Sequence, residues 1–225
     1  MTSPFILMCA GVTKSFGSHT VLNNISMSLG RGIVALTGKN GAGKTTLIEA
    51  IAGITSLDSG RIEILGSDLV TDAFAARTKL AFVPDASFAY EFMTGLEFLL
   101  MVCALRNVQI SAGDHKLQEK MGLTPHLNVL VSAMSLGTRK KLMLASGLLG
   151  DAALILLDEP TNGLDAFAKQ ALADAIILRS QYALVFLSTH DAAFISMTNA
   201  KTLDMHDFHA GAAAASNLDL MTQSL

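Results

Sequence analysis

One stretch constrains this chain more than any other: Gly38-Lys39-Asn40-Gly41-Ala42-Gly43-Lys44-Thr45-Thr46. It fits G-x-x-x-x-G-K-[ST] in full, follows the apolar run Ile33 to Thr37, and opens a helical pattern from Lys44 to about Ala52. A strand, a glycine-rich turn and a helix N-terminus form a ready phosphate cradle. Backbone N–H groups from Asn40 through Gly43 converge on the ligand, and the helix points its positive end at it. Lys44 supplies a charge for the β- and γ-phosphates. Thr45 offers a hydroxyl to Mg²⁺, and Thr46 one to the α-phosphate. The glycine spacing is not that of a dinucleotide fold, so the ligand class is a nucleoside triphosphate.

Short apolar runs alternate with helical patterns around this unit, which predicts an α/β protein with a parallel sheet. Strands are expected at 5–16, 21–29, 33–37, 61–65, 80–83, 152–157, 183–187 and 201–203, and helices at 73–77 and 165–179. Between about Ala86 and Leu149 strand character fades and three helices are expected. The first starts at a capping box, Thr94-x-x-Glu97, and the second and third at Ser111 and Ser135. The expected organisation is one domain over 1–225. Its core is 1–85 and 150–205, its helical insert is 86–149, and its tail is 206–225.

Composition narrows the function. Hydrophobic residues make up 51% and charged residues 16%, against about 25% charged in ordinary globular chains. The excess points either to a large core or to a docking face. The longest apolar run, Phe98 to Leu105, is far short of the roughly 20 residues a span needs. A pI near 6.0 argues against a nucleic-acid partner. Cys9 and Cys103 read as small buried hydrophobes in a reducing cytosol.

A second acidic feature belongs with the phosphate loop. Ala153 to Leu157 is an apolar strand ending in Asp158-Glu159. Lying beside the phosphate-loop strand, it would bring both carboxylates to the same sheet edge. Asp158 then suits Mg²⁺ and Glu159 suits a water to be polarised.

Together the phosphate loop, LLDEPTNGLD and STHD resemble the ATP-binding cassette (ABC) ATPases over about residues 5 to 205. The resemblance implies a P-loop NTPase core with an antiparallel β subdomain and an inserted α-helical subdomain. It implies that Phe16 stacks on adenine, that Asp165 belongs to the D-loop, and that His190 is the switch histidine reaching the γ-phosphate. The signature segment is Met134-Ser135-Leu136-Gly137-Thr138. Ser135 and Gly137 match the usual LSGGQ form, while Leu136 and Thr138 depart from it. Where the family has its Q-loop glutamine this chain has Asp85, which still offers an oxygen to Mg²⁺ but adds a negative charge. Both departures resemble a bacterial exporter branch.

What the resemblance then implies is an ATPase using ATP and Mg²⁺, with Glu159, His190 and Lys44 carrying the chemistry. A second ABC subunit, in a homodimer, would present Ser135 and Gly137 to the ATP. A separate transmembrane permease would dock on the insert around Ala86 to Arg106, where Phe88-Ala89-Tyr90-Glu91-Phe92-Met93 is unusually aromatic, and hold the protein on the cytoplasmic face of the membrane. Two alternatives stay open: a soluble ABC mechanoenzyme, and a P-loop kinase of a small metabolite.

Overall fold

The computed structural model of the protein describes residues 4–86, 90–209 and 219–220. Two five-stranded sheets face one another. The first is built from β1 (Leu7–Phe16), β2 (His19–Leu29), β4 (Ser59–Ile64), β5 (Ser67–Asp68) and β10 (Asp219–Leu220), in the order β10-β2-β1-β4-β5. Its long strands pair antiparallel, β1 with β2 from Leu7 opposite Leu29 to Phe16 opposite His19. The second sheet holds β3 (Gly32–Thr37), β6 (Leu80–Val83), β7 (Leu154–Leu157), β8 (Leu184–Ser188) and β9 (Lys201–Asp204). It is parallel throughout, in the order β6-β7-β8-β3-β9.

This order corrects one expectation. The acid-bearing strand β7 does not lie beside the phosphate-loop strand β3, because β8 pairs with both and separates them. The two strand ends still share one sheet edge, since all three strands run parallel.

The helices are α1 (Lys44–Ile51), α2 (Ala73–Thr78), α3 (Gly95–Arg106), α4 (Ala112–Lys120), α5 (Leu136–Gly147), α6 (Ala166–Ser180), α7 (Ala192–Thr198) and α8 (Met205–His209). The caps behave as the sequence predicts. Thr94 and Glu97 complete a reciprocal capping box on α3, and Ser135 accepts the Thr138 N–H at the start of α5. The helix α7 is short and its apolar pattern is slight. Its one sequence signal is Asp191, which caps it by accepting the Phe194 N–H at 3.0 Å. Of the tail, α8 is described, while 210–218 and 221–225 lie outside the described residues, as do Phe88 and Ala89 of the aromatic stretch.

The apolar composition is explained by the parallel sheet. Side chains alternate across a strand, and here both faces are buried. Ile33 and Ala35 of β3, Ile155 and Leu157 of β7, and Val185 and Leu187 of β8 face the helical side with α5 and α6. Val34, Leu36, Leu154, Leu156, Leu184 and Phe186 face α1 and the antiparallel sheet. Parallel strands covered on both sides need continuous apolar runs rather than alternation. Cys9 and Cys103 are both buried and free, and burial pushes the Cys9 thiol up to about 12.

The insert is seated on the core by close packing. A Cβ on Gly147 would lie 2.1 Å from Val83 Cγ2, so only glycine lets α5 approach β6 this far. The Arg106 guanidinium, from the end of α3, donates to the carbonyls of Ser146, Leu149 and Gly147 at 3.1, 3.3 and 3.4 Å. A cation at a helix C-terminus meets the negative end of its dipole.

Phe186 is fully buried between the layers, and Val70 is 80% exposed. Phe186→Ala is expected to cost about 3–5 kcal/mol through lost burial and the cavity left behind. Val70→Ala should stay within about 0.5 kcal/mol. Urea unfolding of the two variants checks both.

Candidate nucleotide site

The site is a cleft of about 470 Å³ at the C-terminal edge of the parallel sheet. Ligands of open α/β sheets bind at that edge. Its lining includes Phe16, Asn40, Gly41, Gly43, Lys44, Thr45, Thr46, Asp85, Glu159, Asn162 and His190.

The floor is the loop between β3 and α1. Gly43 has φ +96°, and a Cβ there would stand 2.9 Å from Val21 Cγ1 and 3.2 Å from the Val21 carbonyl. Glycine is required twice over, for its backbone angle and for the space. No side chain caps α1, so its first N–H groups are presented to the cleft. Ala42 instead packs inward against the core. Lys44 is only 7% exposed, and its Nζ donates to the carbonyls of Gly38 and Lys39 at 2.9 and 3.4 Å. The same Nζ is 4.0 Å from Glu159 Oε1, so a positive and a negative group already share the cleft. A glycine cradle with a lysine folded across it fits a polyphosphate.

The acidic wall hangs on one hydroxyl. Ser188, at the end of β8, is fully buried. Its Oγ donates to Asp158 Oδ1 and accepts the Glu159 N–H at 2.9 Å. Glu159 sits at φ +42°, a region side-chain-bearing residues seldom occupy, and such strain costs of order 1–3 kcal/mol. The turn is held by that hydrogen bond and by the Asn162 N–H donating to the Glu159 carbonyl at 3.2 Å. Glu159 Oε2 lies 3.0 Å from His190 Nδ1, while the Thr189 N–H donates to the Leu36 carbonyl of β3 at 3.2 Å. The separating strand β8 is thus what wires the acids to the phosphate loop.

Asp158 is 3% exposed, directly behind the cleft. Its carboxylate and the Thr45 hydroxyl are hard oxygen donors of the kind Mg²⁺ takes at phosphate sites, where the phosphates complete the coordination. Phe16 stands on the rim, 54% exposed. The preceding residues are pinned by Asp58, which accepts the Ser15 N–H at 2.6 Å and the Lys14 ammonium at 3.2 Å. Those bonds hold the Asp58 carboxyl below its ordinary range, the Ser15 backbone bond contributing most.

Five expected residues do not line this cleft: Ala42, which packs inward, Asp158, which is buried, and Ser135, Gly137 and Asp165. Ser135 caps α5 and Asp165 caps α6, and the two helix starts adjoin. A Cβ on Gly137 would lie 3.3 Å from the Gly163 carbonyl, and the Lys141 ammonium donates to Asp165 at 2.6 Å. Lys141 is the largest cause holding the Asp165 carboxyl low. From α6, Lys169 donates to Asp191 at 2.7 Å, directly after His190, and is the main cause of a lowered Asp191 carboxyl. Asp85 does line the cleft, with its Oδ1 accepting from Lys140 at 3.1 Å and from Asn162 Nδ2 at 3.3 Å.

Sequence reasoning does not reach Ser188, Lys140 or Asn162. Ser188 is visible only as the first letter of STHD. Lys140 sits in a basic triplet, Arg139-Lys140-Lys141, that reads as a solvated face.

Comparison with known proteins identifies the family. The profile of the ABC transporter family matches residues 22–162. The Nod factor export ATP-binding protein I of Bradyrhizobium diazoefficiens is 34% identical over 185 residues, covering 80% of this chain and 60% of its own. The glucosylceramide transporter ABCA12 of Mus musculus is 30% identical over 186 residues, which is 80% of this chain but 7% of that protein. The chain thus spans less than two thirds of the length of either relative. A solved ATP-binding subunit of an ABC transporter superposes with a TM-score of 0.77 at 28% identity, covering 84% of this chain and 81% of that one. By profile, identity and fold, the chain belongs to the ABC transporter family and carries its ATP-binding cassette.

Proposed function

We propose that this chain is the ATP-hydrolysing, nucleotide-binding unit of an ABC transporter, that it drives a separate membrane subunit, and that the transport is export. The observation that carries the reading is the convergence of Lys44, Glu159 and His190 on one cleft from three different strand ends, with Asp158 buried beside Glu159 and held by Ser188. A small-metabolite kinase has no use for a histidine paired with the carboxylate, nor for a capped Ser-Leu-Gly helix start.

In the proposed cycle, ATP stacks on Phe16 and its phosphates take the N–H groups of the loop from Asn40 to Thr46. Lys44 then exchanges its carbonyl partners for the β- and γ-phosphates. Thr45 and Asp158 are the residues that would hold Mg²⁺, which would supply neutralising charge to the phosphates. Glu159 accepts a proton from a water aligned with the γ-phosphorus. The water oxygen forms the new P–O bond, the bridging P–O bond to the β-phosphate breaks, and ADP leaves with that oxygen. His190 offsets the charge that develops on the γ-phosphoryl oxygens.

The assembly is also proposed. Ser135, Gly137 and Asp165 lie together at adjoining helix starts outside the cleft, which suits contact with a nucleotide held by a second copy. Among the described residues no helix is long and apolar enough to cross a membrane. Tyr90 and Phe92 are exposed, with ring centroids 5.6 Å apart, on the segment proposed to meet a membrane subunit at the cytoplasmic face. The resemblance to a Nod factor export protein favours export.

Glu159→Gln is expected to retain ATP binding while turnover falls by about 10²–10⁴-fold, the usual worth of a positioned base. Equilibrium binding of a fluorescent ATP analogue beside phosphate release measures the two, and full residual turnover would falsify the role. In membranes solubilised with detergent, the tagged Glu159→Gln protein with ATP and Mg²⁺ should retain a stoichiometric, strongly hydrophobic chain. A soluble ATP-stabilised dimer without that chain points to the mechanoenzyme instead.

Ser188→Ala removes no side chain that lines the cleft but frees both acids. Turnover should drop about 10–100-fold, as for the loss of other orienting partners. Turnover within twofold of the parent would show that the hydroxyl does not hold the acids in their working geometry.

A further inference from the structure

The residue that replaces the family's glutamine is already engaged. Lys140, on α5, has a side chain only 7% exposed, whereas that of Asp85 is 50% exposed. The Lys140 ammonium donates to the Asp85 carbonyl and to Asp85 Oδ1, each at 3.1 Å. It also reaches the carbonyls of Pro84 and Asp158 at 3.5 Å. These oxygens come from the C-terminal ends of β6 and β7, so one buried cation gathers both strand ends under the start of α5. Asn162 Nδ2 donates to the same Asp85 oxygen at 3.3 Å.

A buried ammonium needs a counter-ion, and carbonyl dipoles alone do not supply one. Glutamine at position 85 would bring an amide and no charge, leaving Lys140 uncompensated. An aspartate there and a lysine at 140 therefore belong together. We infer that Asp85 is a positioning residue: the counter-ion of Lys140, tying the helix that begins at Ser135 to the strand end bearing Asp158, and not a ligand of the metal. Its catalytic consequence rests on the ATPase reading above, while the tie itself belongs to the nucleotide-free protein.

The pair is tested by a double-mutant cycle on the full chain without nucleotide, using Asp85→Gln, Lys140→Met and both together. Asp85→Gln strands a buried cation and should lower the melting midpoint by roughly 6–12 °C. Lys140→Met strands a half-exposed carboxylate and should lower it less. The double variant should melt well above the sum of the two losses, and simple additivity overturns the pairing. Should Asp85→Gln alone not fold, recovery of a folded protein in the double variant supports the pairing, and failure to recover one overturns it.

Metal binding separates the two roles. The Mg²⁺ concentration giving half-maximal binding of a fluorescent ATP analogue to the double variant should stay within about twofold of the parent, and a rise of about tenfold or more makes Asp85 a ligand and overturns the inference. In hydrolysis, Asp85→Gln should lower kcat with KM for ATP little changed, and adding Lys140→Met should restore part of kcat. A parent that hydrolyses no ATP sinks the ATPase reading, and the melting cycle still decides the pair.

Discussion

The site turns on the Ser188 hydroxyl. A hydroxyl has one proton to give and two lone pairs to receive. Here the proton goes to Asp158 and a lone pair takes the Glu159 N–H. That single group fixes one acid by its side chain and the next by its backbone, so the two carboxylates point different ways although they are neighbours in sequence. The positive φ of Glu159 is the visible cost of that divergence. Without a buried partner on β8, a non-glycine residue in that region would relax towards an ordinary strand exit, and its carboxylate would leave the lysine and the histidine.

Placing β8 between β3 and β7 makes this arrangement possible. An acid strand paired directly with the phosphate-loop strand would set Asp158 one strand spacing, about 4.8 Å, from the loop. The intervening strand doubles the distance and opens room for phosphates and a metal. It also contributes its own C-terminal residues, Ser188, Thr189 and His190, which face both neighbours. Burial on both faces keeps these strands rigid, and a rigid frame is what sub-ångström placement of catalytic groups needs.

Much of this is legible in the sequence because its signals are local. The phosphate loop, the capping box at Thr94, the Ser135 cap and the strand run into Asp158 each depend on residues a few positions apart. Strand order is not legible, since β7 and β8 are equally apolar and nothing in either names its neighbour. Lys140 is hidden for a related reason. A lysine inside a basic triplet reads as solvated, and only the approach of α5 to β6 through Gly147 buries it. Asp85 shows the converse: on its own it invites a metal, and only the fold brings it to Lys140, 55 residues away.

The basic triplet repays a comparison of magnitudes. Arg139 meets Glu91, Lys140 meets Asp85 and Lys141 meets Asp165, so three successive residues reach the segment before α3, the end of β6 and the start of α6. They are not equivalent. The carboxylates of Glu91 and Asp165 have side chains 69% and 54% exposed, and pairs open to water contribute about 0–1 kcal/mol. Such contacts can break and reform as segments move. The side chain of Asp85 is 50% exposed too, so the difference lies in the cation: Lys140 is 7% exposed and reaches carbonyls at the ends of β6 and β7, whereas Arg139 reaches those of Ser132 and Met134 just before its own helix. Of the three, Lys140 is the residue that ties the helix start to the strand end bearing Asp158.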